Sequence, residues 1–177
     1  VFRVWDPKSV EDVNIVTARN VVREGFGTQP DALLLQLLAH PDIRIRQRAH
    51  LELATRGPKA LAAVAAVAGD ANAQVTQRWH ALYALGVAAR RAADAGKPNA
   101  AAEAAVAGAL GDADAQLRRL AARLCGDARI AAGGAKLVDL LTDEDMAVRA
   151  QACIALGKLK RIEAMPNVAA VAWENED

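Results

Sequence analysis

Aromatic residues make up only 3% of the 177 residues, cysteine occurs twice, histidine three times, and neither sign of charge dominates. Each shortage removes a class of protein. Hydrophobic residues reach 53% with few aromatics among them, so the apolar content is Ala, Leu and Val, which suits closely packed helices better than strands. Cys125 and Cys153 lie in apolar helical text with no C-x-x-C pattern, which speaks against a disulfide framework or zinc ribbon and leaves the redox compartment open. Lys plus Arg is 22 against 21 for Asp plus Glu, and a net charge of +1 offers no global field for collecting nucleic acid or anionic membrane. The balance is uneven along the chain, with eight basic against two acidic residues from Arg44 to Arg91 and an acidic end at Glu174, Glu176 and Asp177. No stretch, not even Ala60 to Ala68, approaches the roughly 18 consecutive apolar residues of a bilayer span. The sequence opens on Val1 with no charged leader after it, as expected of a segment from a longer protein.

What the chain does have is a repeat. The pattern Arg, two residues, Ala occurs at Arg46, Arg78, Arg118 and Arg149, with Ala49, Ala81, Ala121 and Ala152 completing the copies at spacings of 32, 40 and 31. Seven residues after each Arg come Leu53, Leu85, Cys125 and Leu156, and one before it Ile45, Gln77, Leu117 and Val148. These positions fall on one helical stripe, which must face a core. The small Ala at its centre lets a neighbouring helix approach closely. Gly86, Gly126 and Gly157, eight after the Arg, can end their helices. The long interval contains Arg90 to Asn99 with Gly96-Lys97-Pro98 and reads as a loop insertion.

A second apolar segment with start signals precedes each Arg-bearing helix: Ala32 to Ala39, Lys59 to Ala68, Ala100 to Leu110 and Ala135 to Leu141. Short polar turns rich in Asp join each pair, so every unit is a helical hairpin and the turn acids cap the second helix. The expectation is all-α: a right-handed α-solenoid of about four helical hairpins. Residues 1–27 form a strand-like segment and a partial first repeat, residues 28–160 the repeats, and residues 161–177 a terminal helix or cap with an acidic tail.

An Asp in the turn followed by an apolar residue, Arg, two residues and Ala resembles the HEAT-like repeat family, including the short bacterial units of phycobilisome lyases. Asp112 to Ala121 and Asp143 to Ala152 carry the pattern best, and the resemblance spans roughly Gln29 to Leu159. His40 and Asn72 replace the turn Asp before Arg46 and Arg78, although Asp42, Asp114 and Asp145 stand four residues before three of the Args. The opening, Val1-Phe2-Arg3-Val4-Trp5-Asp6-Pro7 with Val22 to Phe26 and Leu38 to Arg46, is similar to the junction in planctomycete-type dehydrogenase-like proteins. There a β-propeller passes into HEAT-like repeats, often with a c-type cytochrome after them. The resemblance implies that Val1 to Trp5 is a strand of the preceding sheet and that the parent protein is exported.

Catalytic chemistry is hard to assemble from these residues. His50 lies four residues after its Arg and His80 two after its own, about 200° apart on equivalent helices, so they are not expected to converge on a metal. His40 in its turn reads as capping or solvated. Cys125 stands in a core position and Cys153 on the flank, which predicts inert buried thiols. The turn acids lack the ligand order of a calcium loop and read as caps. Gly25-Phe26-Gly27 and Gly133-Gly134 read as turns, because no Lys-Ser/Thr follows them. No cofactor or metal is expected.

The Args at 46, 78, 118 and 149, with Asp112 and Asp143, are expected to form a structural ladder rather than a phosphate site. The positions one and five after each Arg hold Trp79 and Tyr83 in one repeat and Arg119 and Arg123 in the next. Stacking would bring them side by side as an interaction patch, the plainer alternative being that Trp79 and Tyr83 pack on their own repeat's first helix. The functional expectation is a noncatalytic scaffold, protein-interaction or inter-domain linker module of a larger exported oxidoreductase-like protein. Nucleic-acid binding through the basic stretch is the rival, and a chromophore-lyase role rests on repeat similarity only.

Overall fold

The structure, a computed structural model, describes the backbone of residues 11–173 and the side chains of residues 11–170. Ten α-helices and no strand occur among the described residues. Eight of them form four hairpins: α2 (Asp31–Leu37) with α3 (Ile43–Leu53), α4 (Pro58–Gly69) with α5 (Val75–Asp94), α6 (Ala100–Gly108) with α7 (Ala115–Asp127), and α8 (Gly134–Asp139) with α9 (Met146–Lys158). Before them comes α1 (Val13–Glu24) and after them α10 (Met165–Trp173). The expected strand at Val1 to Trp5 and the acidic tail after Trp173 lie outside the described residues.

The second helix of a hairpin starts where a turn acid stops the chain. Asp42 accepts from the Arg44 amide at 2.8 Å, Asp114 from Gln116 and Leu117 at 2.7 and 3.3 Å, and Asp145 from Ala147 and Val148 at 2.8 and 3.1 Å. Each such cap contributes about 1 kcal/mol. The acids four residues before three of the repeat arginines are therefore spent on backbone amides. Helices α7 and α9 end in left-handed residues, Arg129 at φ 56° and Lys160 at φ 54°, where the chain bonds Ile130 N to Cys125 O and Arg161 N to Leu156 O. At the corresponding place α1 ends in Gly25 at φ 92°.

One expected boundary is displaced. Gly86 does not end its helix; α5 runs through it for 20 residues, so half of the expected loop insertion is extra helix and residues 95–99 are the loop. The text after Gly86, Val-Ala-Ala-Arg-Arg-Ala-Ala-Asp, is made of good helix formers, and Arg90 faces Asp94 one turn on. The glycine has a packing reason instead: a Cβ there would clash with the Leu124 side chain of α7. Gly126 likewise sits against Ala155 of α9. These glycines set how closely successive hairpins approach.

Packing follows the repeat. Each second helix touches the next in the order α3, α5, α7, α9, while the first helices stack beside them, so the core is one continuous layer between two rows: an α-solenoid. Ala49, Ala81, Ala121 and Ala152 are fully buried along its midline, with Leu53, Leu85, Cys125 and Leu156 beside them. The lone α1 takes the place of a second helix at the first end of the stack, burying Val21 where later units bury Leu53. His40 fastens it. Its Nδ1 accepts from the Asp42 amide, so its Nε2 donates to the Asn14 carbonyl of α1 at 3.0 Å, and the ring is buried rather than solvated.

Candidate interaction face

Two features of the second helices face away from the hairpin core: the arginine ladder at their N-terminal edge and the side chains on their outer surface. Arg46, Arg78 and Arg118 each bond carbonyls of their own hairpin and reach a side chain of the next, whereas Arg149 bonds its own turn. Arg118 donates to the carbonyls of Asp112 and Ala113, both at 3.0 Å, and grips Asp143 of the following turn with Nε at 2.7 Å and Nη2 at 2.9 Å. Its guanidinium holds the Asp143 carboxyl below the ordinary carboxylate range. Arg78 makes the same link, bonding the Ala68 carbonyl and pairing with Asp112. Arg149 donates to the Asp143 and Glu144 carbonyls at 2.7 and 3.3 Å. The ladder therefore joins consecutive hairpins as well as residues within one hairpin.

Arg46 breaks the series. The register position that would supply its carboxylate is Asn72, and Arg46 turns instead to His80, its Nε donating to His80 Nε2 at 3.0 Å. Since Nε2 accepts, the neutral ring carries its proton on Nδ1 and donates to His50 Nδ1 at 2.8 Å. The expectation that His50 and His80 diverge is thus wrong. Opposite directions on one helix diverge, but on two helices lying side by side one side chain points forward and the other back, and they meet between α3 and α5. Both rings are buried, and desolvation pushes each imidazole down to about 4. Tyr83 lies over His50 with ring centroids at 4.9 Å, and Trp79 stacks on Tyr83 at 5.3 Å. An aromatic and imidazole cluster takes the place of the missing acid.

The cluster's outer side opens onto the second predicted feature. Trp79 of α5, Arg119 and Arg123 of α7, and Ala147, Ala150 and Ile154 of α9 line one groove of about 330 Å3. Of the four residues singled out for the patch, Trp79, Arg119 and Arg123 line this groove; Tyr83 turns inward beneath Trp79 toward His50 and does not line it. Sequence reasoning missed the breadth of this surface. Ile43, Val75 and Met146 stand three residues before the repeat arginine, Leu51 and Ile154 five after it, and all five are 38–66% exposed. The signal was present, because these positions are one turn either side of the Trp79 position and so share a face.

Other candidate chemistry is weak. Burial pushes the Cys125 thiol up to about 12 and raises that of the half-buried Cys153, which keeps both protonated. Among the described residues no three His, Cys, Asp or Glu side chains gather as metal ligands, and no helix is long and apolar enough to cross a membrane. Each end of the stack also exposes apolar side chains, with Ile15 and Val22 beside a depression of about 860 Å3 between α1 and α3, and Ile162 and Met165 at the other end.

No curated protein matches this chain. An engineered protein of known crystal structure is 21% identical, the match covering 82% of this chain and 69% of that one at a TM-score of 0.48. Residues 102–177, which hold the third and fourth hairpins, match the family described as HEAT repeats, and this supports the HEAT-like reading of the repeating unit.

Proposed function

We propose that this chain is a noncatalytic scaffold whose outer second-helix face binds protein partners. One observation carries the reading: large apolar side chains recur, exposed, at matching positions of α3, α5 and α9 and so share one face, the kind of grouped apolar surface that marks a contact site. The row of helices sets their spacing, so specificity comes from which side chain each unit presents. In its finer form the module links the domains of a larger exported oxidoreductase-like protein. The opening's resemblance supports that form, and so do the apolar ends of the stack, which offer surface to neighbouring domains.

The basic stretch from Arg44 to Arg91 gives little support to nucleic-acid binding, because half of its eight cations are paired with acids. Arg44 pairs with Asp42, Arg56 with Asp31 and Glu52, Arg78 with Asp112 and Arg90 with Asp94. No particular residue supports a chromophore-lyase role. The test is a Met146→Ser, Ile154→Ser double variant, both side chains being more than half exposed: partner binding should fall while the melting curve stays, and unchanged binding discards the face. The reading frame on either side checks the linker form. A propeller upstream and a C-x-x-C-H motif downstream are expected, and a start codon directly before Val1 overturns it.

A further inference from the structure

The groove over α7 differs from the rest of the outer face in one respect: it is where the apolar surface carries charge. Arg119 and Arg123 stand one helical turn apart and both are exposed. Among the described residues Arg119 has no carboxylate within 4.0 Å, and Arg123 has only Asp127 at 3.4 Å, itself held by Lys158 at 2.5 Å. No carboxylate lines the groove; Gln116 and Gln151 supply its other polar groups.

A partner that covers this face must therefore deal with two guanidiniums. An apolar surface laid over them would strip their water and return nothing, leaving unpaired charges that cost more than the apolar contact gains. A polyanion such as nucleic acid would satisfy the arginines but would leave Trp79, Met146 and Ile154 against sugar and phosphate, with their apolar area still wet. The complement of both features is a protein surface that alternates carboxylates with large apolar side chains. The available room agrees, since Ala147 and Ala150 of α9 are small and leave space beside Trp79 for one incoming side chain.

We propose, resting on the interaction reading above, that the groove receives an acidic amphipathic segment of another protein. Two of its carboxylates, one helical turn apart, meet Arg119 and Arg123. A large apolar side chain between them enters over Ala147 and Ala150 against the Trp79 ring. The arginines select the partner and fix its register, and the apolar contacts hold it. The glutamine amides accept and donate to whichever polar groups of the segment fall beside them.

The test uses the full chain and a displayed library of 15-residue helical peptides. Binders should be enriched in Asp or Glu at i and i+4 around a large apolar residue. Replacing both acids by amides should weaken each binder about tenfold or more, as should Arg119→Glu with Arg123→Glu. A peptide with Lys in place of both acids should regain affinity for that doubly reversed chain, a rescue that loss of folding cannot produce. Binders without acids that depend on Trp79 but ignore the two arginines would overturn the acidic partner while leaving the scaffold reading intact. Binders indifferent to Trp79 and both arginines, or no binders, would overturn both. A fluorescent 20-base-pair duplex included as a second probe should not bind at low salt; saturable binding lost on arginine reversal would replace the acidic segment by nucleic acid.

Discussion

At the joint between the second and third hairpins Arg78 meets Asp112, and at the next Arg118 meets Asp143. At the joint between the first and second, the same arginine position faces His80 and, through it, His50. The three joints share register, helix direction and the fully buried Ala on the midline, yet two are closed by a charge pair and one by a chain of neutral rings. The difference shows that the repeat fixes where a link is needed, not its chemistry. An arginine at this edge can bond turn carbonyls and any acceptor that the next hairpin offers. It follows that the joints should fail under different conditions.

The largest separation between them should come from removing one member of a charge pair. Arg118 and Asp143 are both nearly enclosed, and Arg118→Ala leaves a buried carboxylate whose other bond, to the Asp145 amide, does not balance its charge. The expected loss is about 3–5 kcal/mol. Asp143→Asn keeps an oxygen for that amide and should cost less. Urea midpoints of the two variants check the order, and equal small losses would mean that these pairs do not hold the stack.

Acid should select the other joint. The imidazoles of His50 and His80 lie near 4 in the folded chain against 6.5 when exposed, so between those values the unfolded chain binds more protons than the folded one. Their contribution is complete above pH 6.5 and is lost as pH falls toward 4, by about 3 kcal/mol for the pair, roughly half of what the full displacements would give because solvent screens both rings. The Arg118–Asp143 joint behaves otherwise. Its carboxyl is held below the ordinary value of 3.8, so its contribution persists through that window and fades only in stronger acid. Denaturation at pH 7.5 and 4.5 reads the sum, and His50→Gln with His80→Gln should remove most of the slope. A slope that survives the double variant would assign it to other groups.

Which of this could be read from the residues follows a physical line. Helix pairing, capping acids and the buried Ala row were legible because they depend on neighbours within one turn of one helix, where sequence spacing is geometry. The column of Trp79 beside Arg119 and Arg123 was legible too, since stacking units of equal phase aligns equal positions. His50 and His80 were not, because their meeting depends on where the adjacent helix axis lies, which periodicity within each helix does not contain. Gly86 misled for a related reason: the residue that stops a lone helix is also the residue that lets Leu124 of α7 come close. The exchange of an acid for a ring at the first joint is visible at Asn72 only once the partner of Arg46 is known to sit in the next hairpin.

That exchange can be reversed. Asn72 precedes Arg78 by six residues, as Asp112 precedes Arg118 and Asp143 precedes Arg149, and the turn around it is already held by Asp70 accepting from the Asn72 amide at 2.9 Å. Asn72→Asp should therefore offer Arg46 the carboxylate its counterparts have without disturbing the turn. The gain at pH 7 should be small, about 1 kcal/mol or less, because position 72 is exposed and the new pair competes with water. Its more telling effect is on the imidazoles. Once Arg46 swings to the introduced carboxylate, His80 Nε2 loses its donor and gains a nearby negative charge, so the ring takes up a proton at higher pH and at lower cost. The variant should lose less stability between pH 7.5 and 4.5 than the parent, and the His80 NMR titration should move upward toward 6.5. An unchanged titration would mean that Arg46 stays on the ring with an acid in reach. The first joint would then be an arrangement preferred in its own right rather than a substitute for a missing Asp.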